Sequence, residues 1–261
     1  MARRLLAIRP GGIGDCILSF PAIESLRARC DYLEVWVPRA IVPLIHFADR
    51  VRPISATGLD LVGIPGIDPP HGLLNEFDEI VTWYGSNRDE FRQATQHLHI
   101  EFHAALPPAD SAAHAVDFFC QQLNAPARNP QIQTDTAKRD FIAIHPFSGS
   151  ARKNWPLAHY DSLAKTLGNV EWCASLEQSL GERTPALITH DLGELAQWLA
   201  QAKLYIGNDS GITHLAAAVG TPVLAIFQAS HPRIWAPRGP HIRIFENPAI
   251  ETILHAVQLS C

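Results

Sequence analysis

Three stretches of the sequence place small, polar or charged side chains directly after a predicted strand, where α/β proteins usually bind ligands. They are RPGGIGD at residues 9–15, IHPFSGSARKNWP at 144–156 and GNDSGITHLAAA at 207–218. Glycines let a ligand approach the backbone closely, while hydroxyls, amides and cations suit phosphate oxygens. Together the stretches predict binding of an anion beside a carboxylate able to act as a base.

The first stretch does not match a known nucleotide loop. Counting from Gly12, the dinucleotide pattern G-x-G-x-x-G is met at Gly14 but fails at Ile17, and a Walker loop is absent. The missing glycine argues against a NAD-dependent oxidoreductase. The sequence leaves two interpretations of Asp15 open: a first-turn helix residue favoured by the helix dipole, or a general base.

The third stretch lies between a predicted strand and a predicted helix. Backbone N–H groups at Asn208, Asp209, Ser210 and Gly211, together with the helix dipole, favour an anion such as a diphosphate. His214 follows Ser210 by about one turn and shares its helix face. A helix cap at Ser210 is compatible with anion binding.

The second stretch adds a polar loop with a cation. Ser148 and Gly149 follow a strand that ends at His145, and Lys153 comes shortly after. Hydroxyls, loop amides and a cation suit a phosphate. Such loops are more often simply exposed to solvent. This stretch therefore predicts phosphate binding only when it is taken together with the other two.

A further stretch, QHLHIEFH at residues 96–103, resembles a metal site. On a strand, His97, His99, Glu101 and His103 would lie along one face with ligand-like spacing. The intervening residues are apolar, and a solvated outer strand explains the same alternation. We favour the outer strand over a metal site.

Composition excludes several classes of protein. The chain has 261 residues, 47% of them hydrophobic, with a formal net charge of −5, which argues against a general nucleic-acid surface. No run approaches the roughly 18 apolar residues of a membrane helix, and the apolar part of the start is too short for a signal peptide. We therefore expect a cytoplasmic protein.

Strand-like and helix-like segments alternate in two series separated by the polar stretch NAPARNPQIQTDTAKR. This predicts an α/β protein with Rossmann-like domains at 1–138 and 139–261. The predicted strands are 5–9, 32–37, 51–56, 79–84, 141–145, 170–173, 187–189, 204–206 and 223–227. A helical stripe over 249–259 predicts that the last helix packs on a domain.

GGIGD, HPFSGSARKNWP and GNDSGITHLAAAVGTPVLAIF, followed by a W-x-P triplet at 235–237, occur in an order that resembles glycosyltransferase family 9. This family comprises the bacterial ADP-heptose:lipopolysaccharide heptosyltransferases. The resemblance implies a GT-B fold, in which two Rossmann-like domains with parallel sheets face a central cleft. It places the acceptor on the first domain and the nucleotide sugar mainly on the second.

The resemblance also implies a role for each matching residue. Asp15 matches the general base, and the glycines before it give clearance to the acceptor. Lys153 offsets charge on the departing diphosphate, Asp209 bonds sugar hydroxyls, and Glu177 binds the ribose. The acceptor-side glycines are Gly11, Gly12 and Gly14, and the donor-side residues are Ser148, Gly149, Lys153, Glu177, Asp209, Ser210, Gly211 and His214.

The resemblance implies an inverting, metal-independent transferase that needs no cofactor and moves heptose from ADP-heptose to a lipopolysaccharide-type or other envelope saccharide. A lipid-linked acceptor would bring the protein to the periphery of the inner membrane. Two alternatives stay open: a protein-modifying heptosyltransferase, and a non-catalytic nucleotide-sugar-binding or regulatory protein. The sequence does not specify the oligomeric state. Where the family usually has G-P-T-D-P, this chain has Gln228-Ala229-Ser230-His231-Pro232, so a donor sugar other than heptose stays an open alternative.

Overall fold

The computed structural model describes residues 2–64 and 71–259, and the first of its two parallel sheets lies near the amino terminus. Its strands are β1 (Arg4–Ile8), β2 (Tyr32–Val37), β3 (Arg50–Pro53), β4 (Glu79–Thr82) and β5 (Ile100–Phe102). Their spatial order is β3-β2-β1-β4-β5, with every neighbouring pair parallel. The accompanying helices are α1 (Ile13–Ser25), α2 (His71–Leu74), α3 (Asp89–Ala94) and α4 (Ala115–Gln122).

The second sheet is formed by the carboxy-terminal half of the chain. Its strands are β6 (Ile142–His145), β7 (Val170–Ala174), β8 (Ala186–Ile188), β9 (Leu204–Asn208), β10 (Val223–Phe227) and β11 (Ile242–Glu246). They are all parallel, in the order β11-β10-β9-β6-β7-β8. The helices are α5 (Leu157–Leu167), α6 (Leu192–Gln201), α7 (Gly211–Ala218), α8 (Pro232–Trp235) and α9 (Ile250–Gln258).

Each sheet has a buried centre. Every residue of β6, β9 and β10 is buried, and Leu5–Ile8 of β1 are fully buried. Parallel strands covered on both faces read as continuous apolar runs, which explains why these strands are evident in the sequence. The predicted packing of the last helix is confirmed, because Ile253 and Val257 of α9 are buried in the core beneath the second sheet.

The chain forms two compact units. One contains the residues up to Asp110 together with Val116–Arg128, and the other contains Ser111–Ala115 and the residues from Asn129 onward. The sequence places the division later, after residue 138. The part of the polar stretch from Asn129 onward belongs to the second unit, where the N–H of Ile132 donates to the Ala218 carbonyl at 2.9 Å.

The predicted series lacks the strand β11 and the helices α2, α4 and α8. β11 is an edge strand with charged and exposed positions, so it lacks the apolar run of a central strand. α4 follows a polar loop without a strong start signal. Among the described residues, no helix is both long enough and apolar enough to cross a membrane.

The QHLHIEFH stretch forms less strand than its alternation suggests. β5 is the last strand of the first sheet, in agreement with the favoured outer-strand interpretation. It begins only at Ile100, so His97 and His99 precede it. The His103 ring packs on Trp83 at 5.5 Å between centroids. Within residues 2–64 and 71–259, no cluster of three or more His, Cys, Asp or Glu side chains could hold a metal ion.

Candidate functional site

The candidate base lies at the carboxyl end of β1, in the first turn of α1. The Asp15 Oδ2 accepts a hydrogen bond from the Gly12 N–H at 3.1 Å, and the side chain is half-buried. Gly12 is the residue that caps α1, with an extended backbone. The carboxylate is therefore held by its own helix start, which leaves its other oxygen for a second partner.

The glycines before Asp15 serve the loop itself. Gly11 has φ +130°, a conformation that only glycine adopts readily, and a Cβ there would lie 3.2 Å from the Asp15 Cβ. Gly14 lies inside the first turn of α1. The clearance at Gly11 is taken up by the Asp15 side chain, so a role for these glycines toward an acceptor stays a prediction.

Arg9 is a buried residue beneath this loop that sequence reasoning missed. Its guanidinium donates to the Pro10 carbonyl at 2.7 Å, to the Asp15 carbonyl at 3.0 Å and to the Ser19 hydroxyl at 3.0 Å. It also lies 4.7 Å from the centre of the Phe119 ring. Burial lowers the pKa of Arg9, and the carbonyls compensate for lost water. The one sequence feature that could have indicated Arg9 is a positively charged residue directly after an apolar strand.

The predicted phosphate loop follows β6. The Ser148 hydroxyl lies 2.7 Å from both the Ser150 carbonyl oxygen and the Asn154 Oδ1, so it stabilises the loop. A Cβ at Gly149 would meet open space, and the loop has room for a ligand at that point. Lys153 ends a single 3-10 turn, Ala151–Lys153.

The structure brings Lys153 together with Asp209. The Lys153 Nζ lies 2.7 Å from Asp209 Oδ2, and only 4% of the Asp209 side chain is exposed. The Ser230 hydroxyl, from the loop after β10, donates to the same Oδ2. Sequence reasoning marked this loop as unusual but missed the role of Ser230. The backbone N–H of Asp209 is not available to an anion, contrary to the prediction, because it donates to the Ile226 carbonyl at 2.9 Å.

The helix after Asp209 begins as the sequence predicts. Ser210 is the N-cap of α7, and its hydroxyl accepts a hydrogen bond from the Thr213 N–H at 3.4 Å. Gly211 is the first residue of the helix. His214 is buried on the same helix, with 5% of its surface exposed. The cap fixes the start of α7, whose positive dipole end suits an anion.

Asn208 joins the loops around this helix start. Its side chain accepts hydrogen bonds from the Trp155 N–H at 2.8 Å and the Tyr160 hydroxyl at 2.9 Å, and it donates to the Pro146 carbonyl at 2.8 Å. The residue is fully buried. The end of β9 is thereby fastened to the loop after β6, which positions Lys153 next to Asp209.

The structure does not bring Glu177 into contact with Lys153 or Asp209. It is exposed after β7 and pairs with His190 at 3.3 Å. The Ser175 hydroxyl lowers the pKa of Glu177 by hydrogen bonding. The neighbouring Gln178 turns inward instead, and its Oε1 lies 3.3 Å from the buried His145 Nε2. Ribose binding by Glu177 stays a prediction.

Comparisons with known proteins support a family. The family model described as "Glycosyltransferase family 9 (heptosyltransferase)" matches residues 109–256. Lipooligosaccharide heptosyltransferase 2 of Haemophilus influenzae is 26% identical over 120 residues, which cover 38% of this chain and 35% of that protein. The chain thus aligns with about a third of the length of this relative.

Solved structures share the fold. E. coli ADP-heptose LPS heptosyltransferase II superposes with a TM-score of 0.78, at 18% identity and over 98% of both chains. E. coli heptosyltransferase WaaC with ADP superposes with a TM-score of 0.70, at 15% identity, over 99% of this chain and 100% of that chain. The predicted GT-B fold class is confirmed. Because the family model matches more than half of its residues, the chain belongs to glycosyltransferase family 9, the heptosyltransferase family.

Proposed function

We propose that this protein is an inverting, metal-independent glycosyltransferase that moves heptose from ADP-heptose to a saccharide of the cell envelope. The observation that carries the proposal is the pairing of Lys153 with the buried Asp209 beside the capped start of α7. A cation, a carboxylate and a helix start are the groups that a nucleotide sugar requires for its diphosphate and its hydroxyls. Family membership and the heptosyltransferase structures support the same donor.

On the donor side, the diphosphate is bound by the start of α7 and the loop that carries Ser148 and Gly149. Lys153 neutralises charge that develops on the leaving ADP, which performs the electrostatic work of a divalent metal. Asp209 accepts hydrogen bonds from hydroxyls of the sugar, and Glu177 accepts from the ribose. His214 lies on the helix that carries these contacts.

On the acceptor side, Asp15 takes the proton from the attacking hydroxyl. The acceptor oxygen forms a bond to the anomeric carbon while the bond from that carbon to the phosphate oxygen breaks. The electron pair leaves with ADP, and the configuration at the anomeric carbon inverts. A carboxylate suits this role because its oxygen can accept the proton of the attacking hydroxyl.

The test is Asp15→Asn in a transfer assay with ADP-heptose, a lipopolysaccharide core acceptor and EDTA in the buffer. We expect transfer to fall by about 100-fold or more, since general-base catalysis contributes about that factor, while ADP-heptose binding changes little. Asp31→Asn is a matched control, because the Asp31 Oδ2 accepts a hydrogen bond from the Arg3 N–H at the other end of β1.

Three results would contradict the proposal. Full transfer activity of the Asp15→Asn variant would contradict the assignment of Asp15 as the base. Loss of wild-type transfer in EDTA would contradict metal independence. Binding of ADP-heptose without transfer or donor hydrolysis would favour the non-catalytic alternative. A parallel arm with a bacterial surface protein as acceptor separates the protein-modifying alternative from saccharide transfer. We further propose that the protein is cytoplasmic and that a lipid-linked acceptor brings it to the inner membrane.

A further inference from the structure

The loop after β10 reaches into the donor side of the site through one hydroxyl. Ser230 donates a hydrogen bond to Asp209 Oδ2, the same oxygen that Lys153 approaches at 2.7 Å. Ser230 is half-buried, so its hydroxyl is next to the carboxylate without being sealed in the core. In the part of the chain that the structure describes, both side-chain contacts of Asp209 therefore fall on one oxygen.

In this arrangement Lys153 has two roles, one as the partner of Asp209 and one toward the donor diphosphate. Asp209 is almost fully buried, and a buried carboxylate is costly unless it is paired and hydrogen-bonded. Lys153 is about one-third exposed and is also the cation that we propose for the donor diphosphate. When the ammonium turns toward phosphate oxygens, the Asp209 carboxylate loses part of its compensation.

Ser230 supplies a donor that does not depend on the diphosphate. Its backbone lies in a different loop from that of Lys153, so a movement of the lysine leaves the hydroxyl in place. A hydrogen bond to a charged acceptor is stronger than one between neutral groups. It fixes the rotation of the carboxylate and leaves Oδ1 to accept from a ligand.

We propose that Ser230 is a positioning residue that orients Asp209 toward the sugar of the donor and so determines how strongly the sugar, rather than the nucleotide, is bound. This inference rests on the proposed function, because it assigns Asp209 to the sugar and Lys153 to the diphosphate. It gives the unusual loop 228–232 a physical role in donor selection.

The experiment compares the Kd of ADP with the Kd of ADP-heptose, by calorimetry, for wild type, Ser230→Ala and Ser230→Thr. In Ser230→Ala, we expect the Kd for ADP-heptose to rise by about tenfold, the cost of one charge-assisted hydrogen bond, while the Kd for ADP stays within about twofold. Ser230→Thr keeps the hydroxyl and is expected to restore sugar discrimination. Ser162→Ala, on the exposed face of α5, is the matched control and should change neither constant.

An equal loss of both affinities in Ser230→Ala would refute the positioning role, because a general disturbance of the pocket weakens both ligands. Unchanged affinities for both ligands would refute it as well. A wild-type protein that binds neither ADP nor ADP-heptose would instead refute the proposed function. The two failures are distinguished by the wild-type measurement alone.

Discussion

At the scale of single residues, buried polar side chains occur in the segments that carry the candidate residues, and they include Arg9 in the first unit and His145 and Asp209 in the second. Burial removes water from each of them, and the lost hydration must be replaced by partners. Arg9 and Asp209 have several polar partners. Among the described residues, the ring nitrogens of His145 have one hydrogen-bond partner, the Gln178 Oε1 at 3.3 Å, and the ring packs edge-on against Phe147. His145 is consequently kept neutral.

This predicts a pH dependence of stability. Burial lowers the pKa of His145 from 6.5 to about 4, against a small opposing effect of Gln178. Below about pH 6.5 the unfolded chain binds a proton that the folded chain refuses, so the free energy of unfolding falls as pH drops. The loss is roughly 3 kcal/mol by pH 4 and is absent above pH 6.5.

Urea unfolding at several pH values measures this effect. The slope of stability between pH 4 and 6.5 should be shallower in His145→Gln than in wild type. His241→Gln, at an exposed position, is the control and should keep the wild-type slope. An unchanged slope in His145→Gln would contradict the assignment.

At the scale of elements, Asp15 and Asp209 both lie where a parallel strand ends and a helix begins. α1 begins with an extended Gly12 and a carboxylate in its first turn, and α7 begins with a serine cap at Ser210. Such helix starts place polar groups reproducibly, because the cap fixes the entry of the chain. The loop before α1 is tighter than the other, because it turns at Gly11 with positive φ.

Two Gly→Ala replacements test that difference. Gly11→Ala forces an L-residue into φ +130° and places the new Cβ 3.2 Å from the Asp15 Cβ. We therefore expect the free energy of unfolding to fall by about 1–3 kcal/mol. Gly149→Ala meets open space and should change stability by less than about 0.5 kcal/mol. Thermal unfolding of both variants measures the contrast. Equal effects would mean that the turn at Gly11 is not strained by a side chain.

At the scale of the whole molecule, each compact unit has its own parallel sheet, and the proposed donor contacts all lie in the second unit. A ligand that binds only the native state adds about 2.7 kcal/mol of stability at 100 times its Kd. We expect ADP to slow hydrogen exchange in β6, β9 and β10 by up to about 100-fold, with little change in β1 and β4.

Lys153→Met is expected to reduce this protection, because it removes the proposed phosphate contact. Lys203→Met changes a half-buried lysine of the same unit that pairs with Asp140, and it should keep the protection. Equal slowing in both sheets, measured by mass spectrometry, would contradict binding of ADP to the second unit alone.

Local features could be predicted from the amino-acid sequence alone: the α/β class, the central strands, the cap at Ser210 and the apolar stripe of α9. These features depend on residues close together in the chain, so periodicity and capping chemistry reveal them. The same locality explains why Asp15, Lys153 and Asp209 were recognisable as candidates from motif spacing. Edge elements such as β11 were missed because they lack a continuous apolar signal.

Which candidate residues contact one another depends on the tertiary structure. Some residues far apart in the chain are brought together: Asp209 contacts Lys153 and Ser230, and Asn208 bonds to the loop after β6. Glu177, in contrast, points outward and pairs with His190. They depend on the strand order, in which β6 lies between β9 and β7 and brings its loop beside both neighbours. Local patterns do not encode that order, because hydrogen bonds and packing between distant segments select it during folding.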